Sequence, residues 1–346
     1  MTAAIAVIAV ALAASFFLGD RDELGEAVRS LMEPTDIAGG VVVFGPAGEE
    51  PQVRIFGDAG PAAPAPLDAD SRFRFASLTK PVTSAAINEL VARGEISFED
   101  RLVELLPDIS FVDPQTSQIT VRDLLRHTSG IDEGADVAPL FLGPAELQEA
   151  LGVDSTADCG DIAVAIAERP ITHEPSTRTV YSNTGYCYLG LVLQAHTGLE
   201  YEQAVHSLVP EATGFSTDVG SVTVTHDVPE SQLDLAVLRT EALGGAGALA
   251  GSPLDYHAFM ARSVGADVTQ APPFDVDDES FWGMGWRVWP DRQCPARTHV
   301  GSMPGAYAIT MIDAEGNSLV AMFNGRPSQD WAPFIRVVNA GCDLFG

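Results

Sequence analysis

The strand-forming segments of this chain sit at its two ends, and that placement restricts the fold more than any other feature. Two strand-like runs near the start, Gly40–Phe44 and Gln52–Gly57, are joined by a Gly/Pro turn. Four more, Trp282–Trp289, Thr298–Ser302, Ala306–Asp313 and Leu319–Asn324, fill the last third and are separated by Gly, Pro or Asp-Ala-Glu-Gly-Asn turns. Between the two sets, Leu78–Arg93, Ile162–Glu168, Gly185–Thr197, Tyr201–Leu208 and Pro253–Arg262 read as helices, and Thr120-Val121-Arg122-Asp123 as a capped helix start. A helix over Arg21–Glu33, stopped by Pro34, precedes the first strand, and another over Trp331–Ala340 follows the last. Short turns between consecutive strands favour antiparallel pairing. The expectation is an α+β fold: an antiparallel five-stranded sheet flanked by terminal helices and built from residues 20–78 and 275–346. A mainly helical domain, residues 79–274, is inserted, with the active site between the two. The acidic loops Asp132–Cys159 and Ser216–Glu230 are long enough to shape a site.

The chain has 346 residues, 46% of them apolar, so it can bury a large core. Its 19 Lys+Arg stand against 48 Asp+Glu, a net charge of −29. A surface this acidic repels phosphate backbones and anionic headgroups, which argues against a nucleic-acid partner. Residues 1–19 hold an apolar run, Ala3–Leu18, broken only by Ser15. The run is shorter than the ~20 residues that span a bilayer comfortably. It suits a signal peptide, with a small-x-small cleavage site at Ala11-Leu12-Ala13; the alternative is an N-terminal anchor. The chain is therefore expected to be periplasmic or secreted, meeting a membrane only through such an anchor. Four cysteines, Cys159, Cys187, Cys294 and Cys342, include no C-x-x-C pair and read as disulfides of an oxidising compartment. Three pairings are possible. The preferred one joins neighbours in chain order, Cys159–Cys187 and Cys294–Cys342.

Several chemistries lack their signature. No H-E-x-x-H, no phosphate-binding G-x-x-x-x-G-K-[ST] and no G-x-S-x-G elbow occurs. The seven histidines have no metal-type spacing, and neither a metal nor an organic cofactor is expected. What stands out is Lys80, the only lysine in a chain whose other eighteen basic residues are arginine. Arginine cannot be deprotonated in a protein, whereas a buried lysine can. Lys80 follows Ser77 by three residues at the start of a helix, so its amine can lie beside the hydroxyl. A serine hydroxyl needs a base to become a nucleophile, and burial against Phe75, Val82 and Ile87 would favour the neutral amine. Backbone N–H groups at the helix start would help hold an oxyanion. Tyr181-Ser182-Asn183 precedes a second helix. A tyrosine near an ammonium can shuttle protons, and Asn183 can both bond Lys80 and donate to a substrate carbonyl. His299-Val300-Gly301-Ser302 lies on a strand, where Gly301 lets a substrate backbone approach and the Ser302 N–H can complete an oxyanion hole.

Together, Ser77-x-x-Lys80, Tyr181-x-Asn183 and His299-x-Gly301 resemble the penicillin-recognising serine hydrolases. The nearest branch holds class C β-lactamases, DD-carboxypeptidases, D-aminopeptidases and family VIII esterases. The stretches Arg72–Lys80, Thr120–Ile131, Tyr181–Gly190 and Gly244–Ser252 match that branch in character, and the resemblance runs from about Leu24 to Ala340. It implies the β-lactamase/transpeptidase-like fold and acylation of Ser77 with Lys80 and Tyr181 as the base system. Asn183, His299, Gly301 and Ser302 would bind substrate, and the N–H groups of Ser77 and Ser302 would form the oxyanion hole. The expected substrate is a small molecule or peptide carrying an ester or a peptide-like amide. A slow-deacylating penicillin or cell-wall binding protein and a non-catalytic scaffold are the alternatives. One departure matters. β-Lactamases usually carry K-T-G as the third motif, and Val300 lacks the hydroxyl that binds the substrate carboxylate. Losing one charge-assisted hydrogen bond costs about 1.5–3 kcal/mol, so weak or absent β-lactamase activity is expected. Ser302, on the same side of the pleat, is placed to compensate.

Overall fold

The computed structural model describes residues 22–33, 37–60, 63, 65–131, 149, 151–153, 156–224, 240–263, 279–327 and 332–346. The apolar run Ala3–Leu18 with Ala11-Leu12-Ala13, most of the 132–159 loop, the later part of the 216–230 loop and Trp331 lie outside the described residues.

Both ends of the chain supply one seven-stranded sheet. Its strands are β1 (Gly39–Gly45), β2 (Gln52–Gly57), β5 (Phe281–Trp282), β6 (Arg287–Val288), β7 (Arg297–Met303), β8 (Ala306–Ile312) and β9 (Ser318–Phe323). They run in the order β2-β1-β9-β8-β7-β6-β5, and every pair is antiparallel. The sheet has seven strands rather than five because all six apolar runs join it and one of them contributes two. Gly285 takes a left-handed conformation, φ +83°, open to glycine at no steric cost, so the run Trp282–Trp289 turns back on itself as the β5–β6 pair. A second ribbon, β3 (Phe73–Arg74) against β4 (Ala250–Gly251), was not foreseen; two-residue strands leave no period to read.

Period-two alternation sorts the sheet's side chains into two cores. Val42, Phe44, Tyr307, Ile309, Met311, Leu319, Ala321 and Phe323 meet helices α1 (Glu23–Met32) and α8 (Ala332–Phe345). Val41, Val43, Ala306, Ala308, Val320 and Met322 face the larger core. That core includes apolar residues of α2 (Thr79–Ala92), α3 (Val121–Leu125), α4 (Cys159–Ala167), α5 (Asn183–Thr197), α6 (Tyr201–Leu208) and α7 (Pro253–Ser263). Thr120 and Asp123 cap α3 reciprocally, side chain to backbone in both directions. Helix α8 runs to Phe345, past the expected end at Ala340. Gly341 packs against the sheet: a Cβ there would lie 2.9 Å from Met311 Sδ and 3.1 Å from Leu319 Cδ1. Disulfides join Cys159 to Cys187, tying α4 to α5, and Cys294 to Cys342, tying the loop before β7 to α8.

Candidate active site

Ser77 lies in a one-turn helix, Ala76–Leu78, that leads into α2. The turn is clamped from several sides. The Phe75 ring is fully buried and meets Phe215 and Tyr256 edge-on, with centroids 4.7 and 5.0 Å away. The Phe75 N–H donates to Leu249 O, and Tyr256 Oη donates to Leu78 O at 2.8 Å. These contacts hold Ala76 at φ +48°, a conformation costing a non-glycine residue of order 1–3 kcal/mol and found where the surroundings over-determine the backbone. The serine is thus presented on a constrained turn.

One turn of helix further, Lys80 is completely buried. Its Nζ lies 3.2 Å from Ser77 Oγ, 2.7 Å from Asn183 Oδ1 and 2.8 Å from the Ala246 carbonyl oxygen. Two of these three oxygens can only accept. They claim two N–H bonds whatever the protonation state. The third direction, toward Ser77, carries a third N–H in the ammonium and the lone pair in the neutral amine. The neutral amine is therefore aimed at the hydroxyl it would deprotonate. The same Nζ lies 4.8 Å from the ring centroid of Tyr181 and 5.6 Å from that of Tyr186. Helix α5 brings Asn183 here because Ser182 caps it, its Oγ accepting the Gly185 N–H at 3.0 Å.

Strand β7 supplies the opposite wall. Gly301 faces the serine turn so closely that a Cβ would fall 2.1 Å from Phe75 O. His299 is buried, and its Nδ1 sits 3.0 Å from the Val300 carbonyl oxygen. A carbonyl cannot donate, so Nδ1 carries the hydrogen and Nε2 is left as an acceptor. Burial, then the charge of Lys80, holds this imidazole down to about 3. Ser77, Tyr181, Asn183, His299 and Ser302 line one cleft of about 420 Å³. Lys80 stands behind it and Gly301 beneath it.

The remaining wall is Trp282, Arg287, Thr298, Val300 and Phe334. Sequence reasoning singled out none of these as site residues except Val300, which lies inside the third motif. Trp282 sits on the two-residue β5 and Phe334 on a helix that follows the sheet, so neither carried a local signal. The Ala246 carbonyl is a backbone group and had none either. His127, at the end of α3, was also missed. It lies inside the stretch Thr120–Ile131, and its ring stacks on Tyr181 with centroids 4.3 Å apart. Among the described residues no group of three or more His, Cys, Asp or Glu comes together to hold a metal. No described helix is long and apolar enough to cross a membrane.

The model of the β-lactamase family matches residues 24–338. The chain belongs to that family. Among curated relatives, esterase EstB of Burkholderia gladioli is 30% identical over 185 residues, 51% of this chain and 46% of that protein. Penicillin-binding protein 4 of Amycolatopsis lactamdurans is 31% identical over 137 residues, 39% of this chain and 32% of that protein. The matches span a third to just under half of the length of these relatives. D-amino acid amidase from Ochrobactrum anthropi SV3 superposes with a TM-score of 0.70 at 21% identity, covering 93% of this chain and 98% of the amidase. The likeness to the amidase is one of fold.

Proposed function

We propose that this β-lactamase-family chain is a serine hydrolase that cleaves an ester or peptide-like amide through an acyl-enzyme on Ser77. The observation that carries the reading is the Lys80 amine, buried, held by two acceptors and directed at Ser77 Oγ. In this mechanism Ser77 Oγ attacks the substrate carbonyl and forms the new C–O bond, while its proton passes into the Lys80–Tyr181 base system. The N–H groups of Ser77 and Ser302 stabilise the oxyanion. Collapse of the tetrahedral species breaks the bond to the leaving group, which takes up the proton. Water then attacks the acyl carbon and gives a proton to the same base system; the bond from the acyl carbon to Ser77 Oγ breaks, Oγ takes that proton back, and the acid leaves. Asn183 holds Lys80 and offers its amide N–H to the substrate carbonyl.

The cleft wall supports an apolar acyl group, through Trp282, Val300 and Phe334. Among the described residues that line it, the only charged side chain is Arg287. Val300 supports weak or absent β-lactamase activity. Residues 20–78 with 275–346 and residues 79–274 serve as the two halves that enclose the cleft, and the disulfides suit a periplasmic or secreted protein. The test is hydrolysis of p-nitrophenyl butyrate by the parent and by Ser77→Ala, with intact mass of the quenched reaction. Parent turnover with a butyryl adduct, both lost in Ser77→Ala, supports the reading. Turnover that survives the substitution overturns it.

A further inference from the structure

His127 touches Tyr181 in more ways than packing requires. It is buried and held at φ +60°, an unusual conformation for a non-glycine residue. Its carbonyl oxygen accepts the N–H of Val180 at 2.8 Å. Its Nδ1 accepts the N–H of Ser182 at 3.1 Å. Those are the residues on either side of Tyr181. Its ring then stacks on the tyrosine face, centroids 4.3 Å apart and planes 28° from parallel. Trp282 closes the group, edge-on to His127 at 5.1 Å and 5.3 Å from Tyr181.

The tautomer follows from these bonds. Because a backbone N–H donates to Nδ1, that nitrogen carries the lone pair and Nε2 carries the hydrogen. A protonated ring would put a hydrogen on Nδ1 facing the Ser182 N–H and lose the bond. Burial, then the charge of Lys80, holds the imidazole neutral, well below its usual range. The neutral ring is the only form that can both accept from Ser182 and lie beside Lys80 without adding a charge.

We propose that His127 is a positioning residue for the base system: it brackets Tyr181 through its two hydrogen bonds to the flanking backbone, and so fixes the tyrosine over Lys80. The proposal rests on the acyl-enzyme reading for its kinetic consequence, though not for the bracket itself. Asparagine tolerates the left-handed backbone and can present Oδ1 where Nδ1 lies. Phenylalanine keeps a ring and loses the acceptor.

The experiment measures kcat and KM on p-nitrophenyl butyrate for the parent, His127→Phe, His127→Asn, Tyr181→Phe and the His127→Phe/Tyr181→Phe double variant. Amide hydrogen exchange of the 178–184 segment is followed in parallel. In His127→Phe we expect kcat to fall about ten- to a hundredfold, with KM changed less than about threefold and faster exchange at Ser182. His127→Asn should recover kcat to within about threefold of the parent and restore the protection. The double variant should be no slower than Tyr181→Phe alone, because the histidine acts through the tyrosine. A His127→Phe kcat within threefold of the parent, or losses that multiply in the double variant, overturns the proposal. If His127→Phe does not fold, His127→Asn decides: parent-like kcat supports the bracket, and a folded protein slower by more than tenfold refutes it. Should parent turnover prove independent of Ser77, the acyl-enzyme reading fails separately, and exchange at Ser182 still supports or overturns the bracket.

Discussion

Gly301→Ala is the substitution whose cost can be worked most directly from the geometry. The added Cβ would fall 2.1 Å from the Phe75 carbonyl oxygen and 3.2 Å from Leu78 Cδ1. Ordinary contact begins at 3.4 Å, so the oxygen is about 1.3 Å too close. Neither side can yield alone. The Phe75 oxygen accepts the Leu78 N–H, the Phe75 N–H is bonded to Leu249, and the ring is locked between Phe215 and Tyr256. On the other side, β7 is paired with β8 over seven registered residues. The turn carrying Ser77 must move against the strand carrying His299 and Ser302. Overpacking of this kind costs about 1–3 kcal/mol, and a displacement near 1 Å at the reacting atoms costs about a hundredfold in rate. Chemical denaturation and p-nitrophenyl butyrate kinetics measure the two effects separately. Gly48→Ala provides the contrast: φ there is +80° with nothing within 4 Å, so about 1 kcal/mol of backbone strain should leave kcat unchanged. A Gly301→Ala protein with the parent's denaturation midpoint and rate would refute the reasoning.

Three further outcomes are expected. Lys80→Met removes the base while keeping the bulk and should lower kcat about 10²- to 10⁴-fold, with Ser77 labelled by a fluorophosphonate correspondingly slowly; labelling at the parent's rate would count against Lys80. His299 and His127 are both held below the 6.5 of the unfolded chain, His299 at about 3. The unfolded state therefore binds more protons in that window, and stability should fall as pH drops from 6.5 toward 3, by up to about 1.4 kcal/mol per pH unit for each group; a melting temperature flat between pH 6.5 and 5 would contradict it. The disulfides close loops with separations of 28 and 48 residues, so each should contribute about 3.5–4 kcal/mol by chain entropy. Denaturation with and without reductant tests this, and an unchanged midpoint would refute it.

The parts of the fold and site that were legible in the sequence are those where one local rule acts. Helix α6 matches its predicted span, Tyr201–Leu208, because its apolar positions recur cleanly on one face. The Thr120–Asp123 capping box was visible as a pattern of side chains. Ser77 and Lys80 stood out as candidates because three-residue spacing on a helix brings side chains together, here to 3.2 Å, and because Lys80 had no competitor in the chain. The β3–β4 ribbon was not legible, since its two short strands are far apart in sequence, and within the Trp282–Trp289 run the split into β5 and β6 left too few residues for a period to show. The end of α8 was misread because Gly341 obeys tertiary packing rather than helix propensity. His127 was missed for a related reason: its role depends on Tyr181, more than fifty residues later, and on Trp282, later still. The third hydrogen-bond partner of Lys80 is a main-chain carbonyl, which every residue has and no sequence marks.

The pairing of β1 with β9 sets Gly40 opposite Phe323, one strand in from the β2 edge of the sheet. That contact closes a loop of nearly the whole chain, so its entropic cost must be met before any of its cross-strand bonds can form. Contacts this distant in sequence slow folding. During synthesis the helices between can form early, but β1 and β2 have no neighbour across β9 until the last strands have emerged. The turn bearing Ser77 is then completed by β7, which arrives equally late. Ser77 and Lys80 precede β7 by more than two hundred residues, so the wall that this strand gives the cleft is absent until β7 has been made.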